Sequence, residues 1–194
     1  MNLLNGFKTG SIYEEIYKKL WEDKRILYLN AEIDENVLDM IATPILLTNE
    51  LEIDIPLEKL KPITIWISSY GGSADVCAFL VEIIEKSRIP IHARVLSVAA
   101  SAGLYIAIAC KHRIANFNSI FLLHKGSISL GNTNFAEAED IIAFYKDDVG
   151  KIFDDLIIRR TKITPEELKK IRRNETYCLA EVARDTYGFI DEII

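Results

Sequence analysis

The run Ile63 to Ile67 (ITIWI) is β-branched or aromatic at every position, and it breaks at once into Ser68-Ser69-Tyr70-Gly71-Gly72-Ser73. Such residues favour a strand, and paired glycines directly after them mark a tight turn. From Ala74 to Lys86 the apolar residues Val76, Phe79, Leu80, Ile83 and Ile84 recur at three- and four-residue steps, the stripe of an amphipathic helix. Strand, small-residue turn and helix in this order constrain the chain more than any other stretch, because strands joined through a helix pair in parallel and with one hand.

The same pattern runs along the rest of the chain. An opening helix is predicted from Ile12 to Trp21, with Ile12, Tyr13, Ile16, Tyr17, Leu20 and Trp21 on one stripe and Glu14, Glu15, Lys18 and Lys19 opposite. Arg25 to Ile33 reads as a strand, and Glu35 to Leu51 as a helix that Pro44 must start late or kink. Pro90 to Leu96 is the next strand, followed by a small-residue turn and a short apolar helix from Ser101 to Ala109. His112 to Asn116 and Ser119 to His124 are two further strands. Asn134 with Glu137 three residues on has the spacing of a capping box, and it opens a long charged helix over 134–160 that should project or pack against a partner. Thr164, Pro165 and Glu167 start a shorter helix, Leu179 to Thr186 forms a last one, and 189–194 (FIDEII) closes as a strand. Strands alternating with helices predict an α/β fold around a largely parallel sheet. With no internal repeat and no linker, 1–194 reads as one domain, preceded within it by a short N-terminal segment, 1–10.

Composition narrows the function classes. A chain of 194 residues, 49% hydrophobic with 9 Gly and 5 Pro, can bury one sizeable core and is neither disordered nor collagen-like. Its 23 Lys and Arg are scattered against 29 Asp and Glu, for a formal charge of -6, so no basic stripe exists for a nucleic-acid backbone. The longest apolar stretch, Leu96 to Cys110, falls short of the roughly 20 residues of a membrane span. MNLLNGFKTG has no basic start, long apolar centre or cleavage site of a signal peptide, which predicts a cytoplasmic protein. Cys77, Cys110 and Cys178 are an odd, widely spaced trio without a CxxC pair; they predict neither a disulfide framework nor a zinc site, and read as small buried apolar residues.

Two turns can carry chemistry. At Gly71-Gly72 the glycines let backbone N–H groups face outward at a helix N-terminus, where they suit an anion or a developing oxyanion, although a plain strand-to-helix turn has the same look. In Ser97-Val98-Ala99-Ala100-Ser101-Ala102-Gly103, Ser101 stands at a helix start among side chains too small to shield its hydroxyl, and the Ala102 N–H could serve an oxyanion beside it. That serine is either a nucleophile or a helix cap. A nucleophilic serine needs a base, and there are three histidines: His92 within a strand, His112 between Lys111 and Arg113, and His124 at the end of an apolar strand, where α/β sheets commonly open onto their sites.

ITIWISSYGGSADV, then VAASAG, then IFLLHKG, a long charged helix and YCLAEVARDTYGFID, in this order, resemble the proteolytic subunits of the ATP-dependent Clp protease family, and the resemblance covers the chain from IYKKLWEDKRILYLNAEID onward. It implies a crotonase-like spiral fold of repeated strand–helix units from which the long helix projects as a handle, and serine peptidase chemistry without metal or other cofactor. By position the nucleophile falls on Ser101, the base on His124, and the oxyanion hole on Gly71, Gly72 and Ala102. The third triad residue, aligned on Tyr177 in Arg173-Asn174-Glu175-Thr176-Tyr177, falls on Glu175, with Asn174 as its competitor. The resemblance further implies heptameric rings stacked into a tetradecamer, an AAA+ ATPase of the Clp type docked on an outer face to which Trp66 contributes, and unfolded polypeptide as substrate.

Departures from the family pattern cluster at the cleft: Tyr70 replaces a proline before the glycines, Lys125-Gly126 replaces a polar-Pro pair after the histidine, and one extra residue precedes Tyr187-Gly188. The segment before the first helix is short, which predicts a reduced axial loop. Two other readings stay open: a non-catalytic ring subunit or scaffold, and an acyl-CoA enzyme of the crotonase type, which would need cleft carboxylates and no nucleophile.

Overall fold

A computed structural model of the chain describes residues 12–127, 130–131, 133–171 and 174–194. The N-terminal segment 1–10 lies outside the described residues. Strands β1 (Ile26–Leu29), β2 (Ile63–Ser69), β3 (Ile91–Ala100), β4 (His112–Ala115) and β7 (Glu192–Ile193) pair in that order, all in parallel, which is the α/β architecture expected. α1 (Ile12–Lys24) precedes β1, and α2 (Thr43–Leu51), α3 (Ala74–Lys86) and α4 (Ala102–Ala109) run between the strands. Pro44 sits in the first turn of α2, where its missing N–H costs nothing, so the helix starts late; a π-helical turn, Leu38–Ala42, precedes it.

β3 is longer than Pro90 to Leu96. Its first half pairs with β4 and its second half, Val98 to Ala100, pairs with β5 (Ile120–Leu123), so the small residues Ser97 to Ala100 are strand and not turn. Close pairing on both sides of β3 overrides their weak strand propensity. β6 (Thr176–Leu179) then runs antiparallel along β5, in a segment for which the sequence predicts no strand. The last helix begins at α8 (Ala180–Val182) and ends in a π-helical turn, Ala183–Tyr187.

β2 alternates strictly: Ile63, Ile65, Ile67 and Ser69 are buried, while Thr64, Trp66 and Ser68 face the other way. On that second face Tyr28 meets Trp66 edge-on at 6.5 Å, and the Arg94 guanidinium lies 5.6 Å over the Trp66 ring. On the first face lies α4, apolar and buried at all eight positions, packed against α3 and the helical segment Gly150–Arg160. A helix without a polar face has to be covered all round, so α4 forms the centre of the core rather than its edge.

Phe135–Phe144 (α5), a π-helical turn at Tyr145–Val149, and Gly150–Arg160 (α6) follow each other without a break. Asn134 caps this run, accepting the Glu137 N–H at 3.0 Å. α7 (Pro165–Ile171) starts with a reciprocal box: the Glu167 carboxylate accepts the Thr164 N–H at 2.8 Å and the Thr164 hydroxyl accepts the Glu167 N–H at 3.3 Å. No described helix is long and apolar enough to cross a membrane. Cys77 and Cys110 are buried and Cys178 is half-buried, less enclosed than expected; all three are free, and burial pushes the Cys110 and Cys178 thiols up to about 12.

Candidate active site

The C-terminal ends of β2 and β3 lie side by side, and each breaks into a turn that starts a helix. Ser101 N–H donates to Leu122 O at 2.9 Å, carrying the β3–β5 ladder one residue further. The chain then swings into α4 through φ 53, ψ -124 at Ser101, one of two non-glycine residues with positive φ among those described. Such a conformation costs of order 1–3 kcal/mol and persists where the surroundings impose it. Here the ladder bond holds one side, and Leu104 and Tyr105 N–H groups bonded to Ser101 O at 3.0 and 3.3 Å hold the other. The Ser101 side chain makes no cap hydrogen bond, so the backbone, not the hydroxyl, secures the helix start.

The glycine turn fits against this elbow because it lacks side chains. Gly71 (φ +108) is so close that an added Cβ would stand 2.7 Å from Ser101 Cβ and 3.1 Å from the Ala102 nitrogen. Gly72 (φ +152) faces Ile33, where a Cβ would meet the carbonyl oxygen at 2.3 Å. Gly71 O accepts the Ile33 N–H at 2.8 Å, and the Ser73 N–H donates to Ile33 O at 2.7 Å. A parallel bridge of this kind turns the Gly72 N–H away from Ile33. The Ala102 N–H opens α4 and has no helical acceptor four residues back. The Gly71 N–H, by contrast, is bonded to Ser69 Oγ at 3.2 Å. Gly71 therefore gives room, while Gly72 and Ala102 offer the outward donors.

His124 follows β5 with a side chain only 23% exposed, and it lines the same cavity as Ser101, Gly72 and Ala102. The register Leu123↔Thr176 in the antiparallel β5–β6 pair sets Glu175 on the next rung, beside His124. His124 Nδ1 and Glu175 Oε1 are 4.0 Å apart, beyond hydrogen-bond distance, and Glu175 is 61% exposed. Tyr177, two residues on and so on the same face, donates from its hydroxyl to Glu175 Oε2 at 3.2 Å. The carboxylate's charge, and then that bond, raise the Tyr177 phenol above its ordinary value. Among the described residues no hydrogen bond joins Ser101 Oγ to His124, so the three groups are gathered but not closed up. Asn174 is exposed, and its N–H donates to Ile171 O.

The other histidines lie elsewhere. His92 and His112 face each other across β3 and β4 with rings 5.6 Å apart, and His112 stands 3.7 Å from Asp191 and 3.6 Å from Glu192. Burial, and then the neighbouring His112 and Lys111, push the His92 imidazole below its ordinary value.

The cavity measures about 1170 Å³, opens to solvent, and is lined by the glycine turn, α4, the segment after His124 and the long helix. Tyr105 and Phe153 stack in its wall at 4.5 Å, and Tyr145 from the long helix donates to Asp75 Oδ2 at 2.6 Å. The sequence reading did not single out these four; only Tyr105 had a signal, being four residues after Ser101 and hence on its helical face. Behind the turn the Cys77 thiol donates to Ala102 O at 3.4 Å, and burial raises its pKa strongly, which leaves it unreactive. Among the described residues no three His, Cys, Asp or Glu side chains cluster as metal ligands. A hydroxyl on a strained elbow, an imidazole on the same cavity and two outward N–H groups are the components of acyl transfer.

Comparison with known proteins points the same way. A family model described as Clp protease matches residues 8–194. The chain is 27% identical over 184 residues to the ATP-dependent Clp protease proteolytic subunit 1 of Cutibacterium acnes, covering 92% of this chain and 80% of that one. It is 28% identical over 192 residues to a proteolytic subunit 2 from Prochlorococcus marinus, covering 95% and 89%. A solved structure of ClpP1 from Listeria monocytogenes, in a point-mutant form, superposes with a TM-score of 0.73 at 21% identity over 92% of this chain and 95% of that one, a likeness of fold.

Proposed function

This chain belongs to the Clp protease family, and we propose that it is a working serine peptidase subunit. In this reading Ser101 Oγ attacks a peptide carbonyl while His124 takes its proton. The Gly72 and Ala102 N–H groups hold the oxyanion, His124 returns the proton to the leaving amine, and water then releases the acyl group by the same steps in reverse. Glu175 orients the imidazole through Nδ1 and stabilises its charged form. The observation that carries the reading is the Ser101 elbow: strained backbone, uncapped hydroxyl, and His124 on the same cavity. Catalysis requires His124 to close onto both partners, a tightening common when substrate arrives.

A fluorophosphonate probe tests this directly. Covalent labelling of Ser101 in the wild-type protein supports the reading; a protein that never labels, alone or assembled, is the non-catalytic ring subunit that the 4.0 Å gap between His124 and Glu175 would suit.

Glu175→Gln is expected to lower turnover of a small peptide by roughly a hundredfold, well under the ~10⁴-fold loss of a buried triad aspartate, because an exposed carboxylate is screened. Asn174→Ala should change turnover less than threefold. The reverse ranking, read from kcat on one fluorogenic peptide, would move the third position away from Glu175.

The curated relatives are named as subunits of an ATP-dependent protease. We take this chain likewise to work in the cytoplasm as heptameric rings, stacked in pairs, that receive unfolded polypeptide from an AAA+ ATPase, with Trp66 on the docking face. Exposed Phe135, Ile142, Phe144 and Ile152 on the long helix support burial against another copy. Light scattering at high protein concentration should report a multimer, and a strict monomer there would count against ring assembly.

A further inference from the structure

The wall of the cavity beside Ser101 is apolar. Tyr105 lies one helical turn after Ser101, stacks on Phe153, and both are nearly buried, with Val149 next to them. At the edge of this wall stands a carboxylate. Asp75, in the first turn of α3 and three residues after Gly72, accepts the Tyr145 hydroxyl at 2.6 Å and so links α3 to the long helix across the cavity.

The nature of that bond matters. Tyr145 is a neutral donor, and the hydrogen bond to Asp75, followed by burial and the carboxylate charge, raises its phenol above the ordinary value and keeps the proton in place. The bond therefore fixes one oxygen of Asp75 without cancelling its charge. The two later carboxylates of α3 are paired: Glu82 with Lys86 at 2.6 Å and Glu85 with Arg159 at 3.1 Å. Asp75 is itself exposed and has no ion-pair partner among the described residues. Lys125 and Lys146 also line the cavity, but both are exposed and neither comes within ion-pair distance of Asp75.

An apolar wall ending in an anchored, unpaired carboxylate matches a side chain with a hydrocarbon stem and a cationic tip. We propose that Asp75 makes this subunit prefer lysine or arginine at the residue whose carbonyl Ser101 attacks, with Tyr105 and Phe153 packing the stem. This rests on the peptidase reading above. A merely structural Asp75, favourable because it is acidic at a helix N-terminus, would affect stability but not the choice between substrates.

Competition for the serine tests it without needing the ATPase. Fluorophosphonate labelling of Ser101 is measured against two peptide aldehydes that differ only in their last residue, arginine or leucine. Wild-type protein should be protected by the arginine aldehyde at about one third the concentration needed of the leucine aldehyde, the discrimination one exposed, screened charge pair supplies. In Asp75→Asn, which can still accept the Tyr145 hydroxyl, that preference should collapse; Asp75→Ser provides a second variant should the first fold poorly. Equal or better protection by the leucine aldehyde in the wild type overturns the proposal while leaving the peptidase reading standing, and so does a preference that survives both substitutions. A wild-type protein that never labels overturns both.

Discussion

Ser101→Ala abolishes fluorophosphonate labelling and lowers peptide hydrolysis by about 10⁵- to 10⁶-fold, because removing one member of a nucleophile–base unit costs nearly as much as removing all of it. The fold should survive. The Ser101 hydroxyl caps nothing, and the bonds that impose φ 53 run through its backbone N–H and C=O, which alanine keeps. Ser101→Gly separates chemistry from strain: it is equally inactive, yet glycine adopts positive φ freely, so it should melt no lower than the alanine variant and by up to ~1 kcal/mol more stably. Intact-mass analysis after labelling and a thermal melt read both effects. Labelling that persists in Ser101→Ala would place the nucleophile on another serine of the cavity, Ser73 or Ser127.

How far this site was legible depends on how local its causes are. The β2–turn–α3 unit was plain because ITIWI, the paired glycines and the α3 stripe are all set by neighbouring residues, and Ser101 stood out for the same reason. The end of β3 was not, since Ser97 to Ala100 look like a turn until β5 pairs with them. β6 was hidden because Thr176 to Leu179 carry no alternation of their own and become a strand only along β5. The neighbourhood of His124 and Glu175 depends on that same pairing, so no spacing within either segment announces it. Glu175 came from resemblance aligned on Tyr177, and the register explains why that alignment lands beside His124. Asp75 and Tyr145 meet across a turn and a π-helical bend, a juxtaposition with no sequence signature.

Gly71→Ala and Gly72→Ala should fail in different ways, and the difference tests how the turn works. At Gly72 the new Cβ would stand 2.3 Å from the Ile33 carbonyl oxygen and 2.7 Å from the Ile33 nitrogen, both backbone atoms already tied to the turn through Gly71 O and Ser73 N–H. Neither can rotate away, so relief requires breaking the bridge, at a cost of about 3 kcal/mol or more including the positive φ. For a chain of this length that amounts to a fall in Tm of roughly 6–12 °C. At Gly71 the nearest atoms all belong to the serine elbow, Ser101 Cβ at 2.7 Å, the Ala100 carbonyl oxygen at 2.9 Å and the Ala102 nitrogen at 3.1 Å. The strain is then relieved by pushing the serine elbow off the turn, which separates the attacking oxygen from the Gly72 and Ala102 donors. Losing the alignment of one such donor typically costs 10²- to 10³-fold in kcat, so Gly71→Ala should lose at least about a hundredfold in activity for a smaller fall in Tm than Gly72→Ala. An active Gly71→Ala protein would mean that the turn is not pressed against the serine in the working state, and the oxyanion would then need donors from elsewhere in the cavity.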